Sequence, residues 1–264
     1  MLLQHFGLKH LPLSKESPEL WDDGSLASLR ESFQWLLHTP GLGLLTGDPG
    51  VGKTATLRLL TEPLNPHRYR VVYQSDTDFG RVDIYRALGR ALGVEPHYRR
   101  AHLWKDLKER IQDLVENKQV LPVWILDEAQ NLPPDFFRDF PAFLNFAFDS
   151  RDLLTVWLVG HPSLAQTLDR VPYAALASRI RVRYHLRPVL ERERFAALIT
   201  HAFRSAGCSH TLLSDSGLEL LHQASKGCPR QAGNVLHTAL RLAVPKGLNH
   251  LPDDLIQTAI EALR

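Results

Sequence analysis

The stretch Gly47-Asp48-Pro49-Gly50-Val51-Gly52-Lys53-Thr54 decides how the rest of this chain is read. Leu42-Gly43-Leu44-Leu45-Thr46 precedes it as an apolar run suited to a buried strand, and Ala55–Leu60 follows as a predicted helix. In a strand–loop–helix unit, glycines let backbone N–H groups converge on phosphate oxygens, and the positive helix end adds to the attraction. Gly47, Asp48, Pro49, Gly50, Val51, Gly52, Lys53, Thr54 and Ala55 are therefore the predicted nucleotide contacts. Lys53 would reach the β- and γ-phosphates, and the Thr54 hydroxyl would ligate Mg²⁺.

Strand and helix patterns alternate on either side of the loop. Asp22–Leu37 has apolar residues at helical spacing, and Tyr69–Tyr73 reads as a second strand. Helices are predicted over Val82–Leu92 and Ala101–Glu116. Val120–Leu126 reads as a buried strand with Pro122 near its start. A helix from Pro134 to Phe148, a strand over Leu153–Val159 and a strand over Ile180–Leu186 complete the series. Strands separated by helices imply an α/β fold, a parallel sheet with helices on both faces. Beyond Pro188 the pattern is helix after helix, marked by Phe195 to Phe203, Leu218 to Leu221, Val235 to Ala243 and Leu255 to Ile260. The expected organisation is a lead-in and first helix over 1–40 belonging to the α/β domain, its core over 41–188, and a small all-helical domain over 189–264.

Composition sets limits on function. With 264 residues, 44% hydrophobic and 23% charged, the chain can bury one large domain or two unequal ones. A net charge of +2 supplies no overwhelming basic field, so a nucleic-acid contact would need local patches. Cys208 and Cys228 are too few for a disulfide framework and fit a reducing cytoplasm. The first residues lack the pattern of a secretory signal, and no apolar run reaches about 18 residues. A cytoplasmic location without a membrane partner is expected.

Val123-Trp124-Ile125-Leu126-Asp127-Glu128 supplies a second phosphate-site element. Acidic residues at the carboxyl end of a buried strand lie where α/β sheets bind ligands. Asp127 would hold Mg²⁺, and Glu128 would polarise the attacking water. Together with the glycine-rich loop, this resembles the AAA+ ATPases, and the resemblance covers nearly the whole chain. It implies a P-loop α/β core followed by a helical lid, with ATP and Mg²⁺ as cofactors. It also implies a homo-oligomer, ring or filament, with active sites shared between subunits. Val159-Gly160-His161-Pro162 places His161 at the sensor position after the fourth strand, where Asn or Thr is commoner in the superfamily. Gly227-Cys228-Pro229-Arg230 is similar to the second sensor motif, with Arg230 directed to the γ-phosphate. Ala177-Ser178-Arg179-Ile180 resembles the Ser-Arg box that supplies an arginine finger, making Arg179 the candidate and Arg181 its competitor. From Arg179 to Arg187 every second residue is Arg or His, giving one basic and one packed strand face. A solvated edge strand and a subunit or DNA contact both fit that alternation.

A narrower resemblance lies in His5 to Leu13, Leu126 to Leu132 and Leu158 to Pro162. These stretches are similar to ExeA/GspA-type ATPases and to the TniB/TnsC group of transposition ATPases. The first implies assistance to a secretion or cell-envelope machine, by proteins that carry a membrane helix and a further domain after the ATPase core. The second implies an ATPase that assembles on double-stranded DNA and regulates a transposase, gripping phosphates with little sequence selectivity. The end of this sequence at Arg264 and the lack of a membrane-length run favour the transposition helper as the expectation. A nucleotide-switched binding module is the third class. Candidate DNA contacts are Arg99, Arg100, His97, Tyr98, Lys105, Lys108 and Arg110, interleaved with Asp106, Glu109 and Asp113. Trp124 and Trp157 are expected in the core, and Trp21 or Phe6 is a candidate to pack on the adenine.

Overall fold

The computed structural model describes residues 2–17, 19–77, 80–208 and 210–263. Along the chain run α1 (Leu2–His5), α2 (Ala27–His38), β1 (Leu42–Gly47), α3 (Lys53–Thr61), β2 (Tyr69–Gln74), α4 (Arg81–Leu92) and α5 (Arg100–Gln112). Then follow β3 (Leu121–Leu126), α6 (Pro134–Leu144), β4 (Thr155–Gly160), α7 (Pro162–Leu168), α8 (Ala174–Ala177) and β5 (Ile180–Leu186). The last helices are α9 (Arg192–Ser205), α10 (Asp215–Ser225), α11 (Pro229–Ala243) and α12 (Asp253–Glu261). The chain separates into two compact units, one of Leu26–Asp48 and Lys53–Leu186, the other of Met1–Ser25, Pro49–Gly52 and Arg187–Arg264.

The first unit is a five-stranded parallel sheet in the order β2-β3-β4-β1-β5, with helices packed around it. Every residue of β1 and β4 is buried, as expected of interior strands covered on both faces. β5, at one edge, alternates instead: Val182 and Leu186 are buried while Arg181, Arg183 and His185 are exposed. Pro122, second in β3, sits opposite Arg70 at the start of the pairing with β2. One core holds Trp124, Tyr85 and the α6 rings of Phe136, Phe140 and Phe143. Trp157 is also fully buried, with Phe33 stacked on it at 5.5 Å between ring centroids.

The second unit packs α9 to α12 around its own apolar core, which includes Phe6 and Leu8, with Trp21 against it. Phe6 is 3% exposed among these side chains, so its aromatic face is used in packing. Two helix boundaries fall several residues from the sequence reading. Asp22–Ser25 is not helical: Asp22 and Asp23 accept the N–H groups of Gly24 and Ser25 two residues on, a local turn that competes with helix. α6 ends at Leu144 rather than Phe148. Lys108 donates to the carbonyls of Ala142 and Asn145, and Ala147, Phe148 and Asp149 then take left-handed φ values of 47°, 57° and 61°.

Candidate active site

The phosphate-binding loop leaves β1 and enters α3, whose first residue is Lys53. Gly50 and Gly52 have φ values of +83° and +107°, conformations that an L side chain strains to adopt. At Gly50 there is also no room: a Cβ would lie 2.6 Å from Cβ of Arg230. Pro49–Gly52 groups with the helical unit, where the Arg230 backbone N–H donates to the Gly50 carbonyl at 3.2 Å. Arg230 is the second residue of α11, behind Pro229, a residue suited to a first helical position. Lys53 is 8% exposed, and its Nζ donates to the carbonyls of Gly47 and Asp48 at 2.8 and 3.2 Å.

The two residues expected to hold Mg²⁺ meet directly. Thr54 Oγ1 donates to Asp127 Oδ2 at 2.9 Å, bringing the start of α3 to the end of β3. Asp127 is 2% exposed, and a charge so buried needs partners. Besides Thr54 it accepts from the Tyr73 hydroxyl at 2.8 Å and from the Glu128 backbone N–H at 2.9 Å. Tyr73 reaches it because β2 and β3 run parallel in register, Tyr73 opposite Ile125 and Gln74 opposite Leu126. Partial burial, and then the Asp127 carboxylate, push the Tyr73 hydroxyl well above its ordinary pKa. The sequence reading treated Tyr73 only as a strand residue; the signal was its place next to the end of the neighbouring parallel strand.

Glu128 follows on a sharp turn with φ +52°, and its side chain is exposed. Gln130 Nε2 donates to Glu128 Oε2 at 2.6 Å, while Gln130 Oε1 accepts the His161 backbone N–H at 3.0 Å. His161 is the N-cap of α7, its Nδ1 accepting the Ser163 N–H at 3.4 Å. Gln130 and the end of β4 are thus joined to Glu128, a link that sequence spacing does not reveal.

The arginine candidates hold other partners. Arg179 pairs with Asp149 at 2.8 Å and donates to the Ala175 carbonyl. Arg181 binds Asp152 and the carbonyls of Thr39 and Pro40, and Arg183 pairs with Asp169. Several candidate DNA contacts are likewise engaged. Arg100 pairs with Asp139 over the Trp104 ring, and Arg110 binds Asp113 and the Leu92 carbonyl. Lys105 pairs with Glu109, His97 with Asp106, and Lys108 caps α6. Arg99 is exposed, and Tyr98, 89% exposed, carries the Arg86 guanidinium over its ring.

The donor set fits a magnesium nucleotide. A hydroxyl and a buried carboxylate converge, and the neighbouring Lys53 ammonium is bound to the carbonyls of Gly47 and Asp48. The family model described as the AAA domain matches residues 36–168, the span that holds this whole cluster. The chain belongs to the AAA domain family. As an AAA protein it is 32% identical over 258 residues to general secretion pathway protein A of Aeromonas hydrophila. That alignment covers 94% of this chain and 46% of the relative, so the chain spans about half the length of the curated protein it matches. Among solved structures, Cdc6p from Pyrobaculum aerophilum superposes with a TM-score of 0.70 at 19% identity, covering 97% of this chain and 70% of that one. The Aeropyrum pernix ORC1 protein in complex with DNA gives a TM-score of 0.73 at 18% identity, covering 95% and 68%. At these identities the likeness is one of fold, the P-loop AAA+ fold with its helical C-terminal region.

Proposed function

We propose that this AAA protein is a Mg²⁺-dependent ATPase of the general secretion pathway protein A kind, acting as a homo-oligomer to assist a cell-envelope machine. The observation that carries the ATPase reading is the contact of Thr54 with Asp127, with Glu128 on the next turn. Lys53 and the loop N–H groups bind the β- and γ-phosphates, and Thr54 and Asp127 hold the metal. Mg²⁺, when bound, neutralises phosphate charge. Glu128 accepts a proton from the attacking water, and Arg179 of a neighbouring subunit stabilises the charge that develops. Arg230 and His161 take the two sensor positions, His161 through the end of β4.

The choice of machine rests on the 32% identical secretion relative. The transposition helper, which loading on DNA would identify, has no such relative behind it. Among the described residues no helix is long and apolar enough to cross a membrane. Purified protein should release phosphate from ATP, and chelation of Mg²⁺ should abolish the release. Binding of ATP without turnover, under every assembly condition, would remove the ATPase reading. Electron microscopy with a non-hydrolysable analogue separates the two jobs. Assembly indifferent to DNA supports the secretion reading, and rings or filaments that need DNA support the transposition reading.

A further inference from the structure

We infer that Gln130 is a positioning residue for Glu128, fixing the water-activating carboxylate by tying it to the corner between β4 and α7. The inference rests on Glu128 being the general base. The Gln130 amide makes two contacts of opposite sense, donating to Glu128 Oε2 at 2.6 Å and accepting from the His161 N–H at 3.0 Å. An ionised carboxylate only accepts and a backbone N–H only donates, so one amide orientation satisfies both. Space for that orientation comes from Gly160, where any Cβ would overlap Gln130 Oε1.

Glu128 is fixed at its main chain as well. Its φ of +52° is uncommon for a residue with a side chain, and its carbonyl accepts the Thr77 hydroxyl at 2.9 Å. Thr77 is 2% exposed, so this anchor is buried. The main chain of Glu128 is thus held by Thr77 and the carboxylate by Gln130. The amide occupies one acceptor site on Oε2 and leaves Oε1 for the proton taken from water. A base oriented by a third group is the arrangement that general-base chemistry calls for. Here the orienting group reports the position of β4, because its other end is bound to His161.

The test compares Gln130→Met, Gln130→Glu and Gly160→Ala with wild type and Glu128→Gln. Gln130→Met removes the donor at similar length; kcat should fall about 10- to 100-fold with ATP affinity unchanged. Gly160→Ala should lower kcat in the same direction by displacing the amide. In both variants the His161 amide should exchange its hydrogen faster than in wild type, a readout that needs no turnover. Gln130→Glu sets two carboxyls side by side and should be slower still at about pH 8. Wild-type or faster turnover in Gln130→Met, or unchanged His161 exchange, overturns the inference. Normal turnover in Glu128→Gln would instead overturn the assignment of the base.

Discussion

At the carboxyl end of β3, charge is buried and its partners converge; along the edge strand β5, charge is exposed and its partners are scattered. Asp127 is 2% exposed and accepts from Thr54, Tyr73 and the Glu128 N–H, groups brought together from α3, β2 and the turn after β3. Arg179, Arg181 and Arg183 pair one to one with Asp149, Asp152 and Asp169. Exposed pairs of this sort contribute about 0–1 kcal/mol, whereas a buried carboxylate stripped of its donors costs several times that. A run of charged residues in a sequence therefore says little until burial is known. The same unit gathers one cluster at the end of β3 and strings the other along its edge.

The contrast is broken most strongly at Asp127. Asp127→Ala removes three hydrogen bonds whose donors, on Thr54, Tyr73 and Glu128, are open to water, and should destabilise the fold by no more than about 1 kcal/mol in a denaturant titration. It should also cut Mg²⁺-dependent turnover by at least about 100-fold, since charge stabilisation by the metal is worth several kcal/mol. An active variant would show that the convergence at β3 is incidental.

Tyr73→Phe sharpens the comparison with a smaller change, about 1 kcal/mol for one hydrogen bond to a charged group on a half-exposed ring. Its pH dependence has a definite sign. The hydroxyl pKa is raised in the folded state, so the unfolded chain loses this proton first as pH passes about 10. The contribution of Tyr73 is then present below about pH 10 and declines above it, and the variant should lack that part of the alkaline fall. Identical alkaline curves for the two proteins would disconnect Tyr73 from Asp127.

At the edge, Arg179→Ala should change stability by no more than about 1 kcal/mol. Its effect should appear in turnover and only in assemblies: subunits with Arg179→Ala and subunits with Lys53→Ala, each inactive, should recover part of the rate when mixed. Full activity of Arg179→Ala alone would leave β5 as a solvated edge.

The glycine loop and the Asp127-Glu128 pair were legible because each is a local pattern on one strand end. The five strands and the C-terminal helices were legible because burial imposes a period on neighbouring residues. What escaped was set by residues distant in the chain. α6 stops at Leu144 where Lys108, from α5, caps its carbonyls. Tyr73 and Gln130 acquire their meaning through parallel pairing with β3 and through the end of β4. Asp149 meets Arg179 only because three successive residues take left-handed φ after α6. Local propensity would not place Ala147, Phe148 and Asp149 there.

The most direct measurement is ATP binding and ATP hydrolysis by wild type and Glu128→Gln, side by side with Mg²⁺. Wild type should turn over, and Glu128→Gln should keep its ATP affinity while hydrolysis falls by roughly 10²- to 10⁴-fold, the range for loss of a general base. Equal turnover in the two proteins would contradict the account.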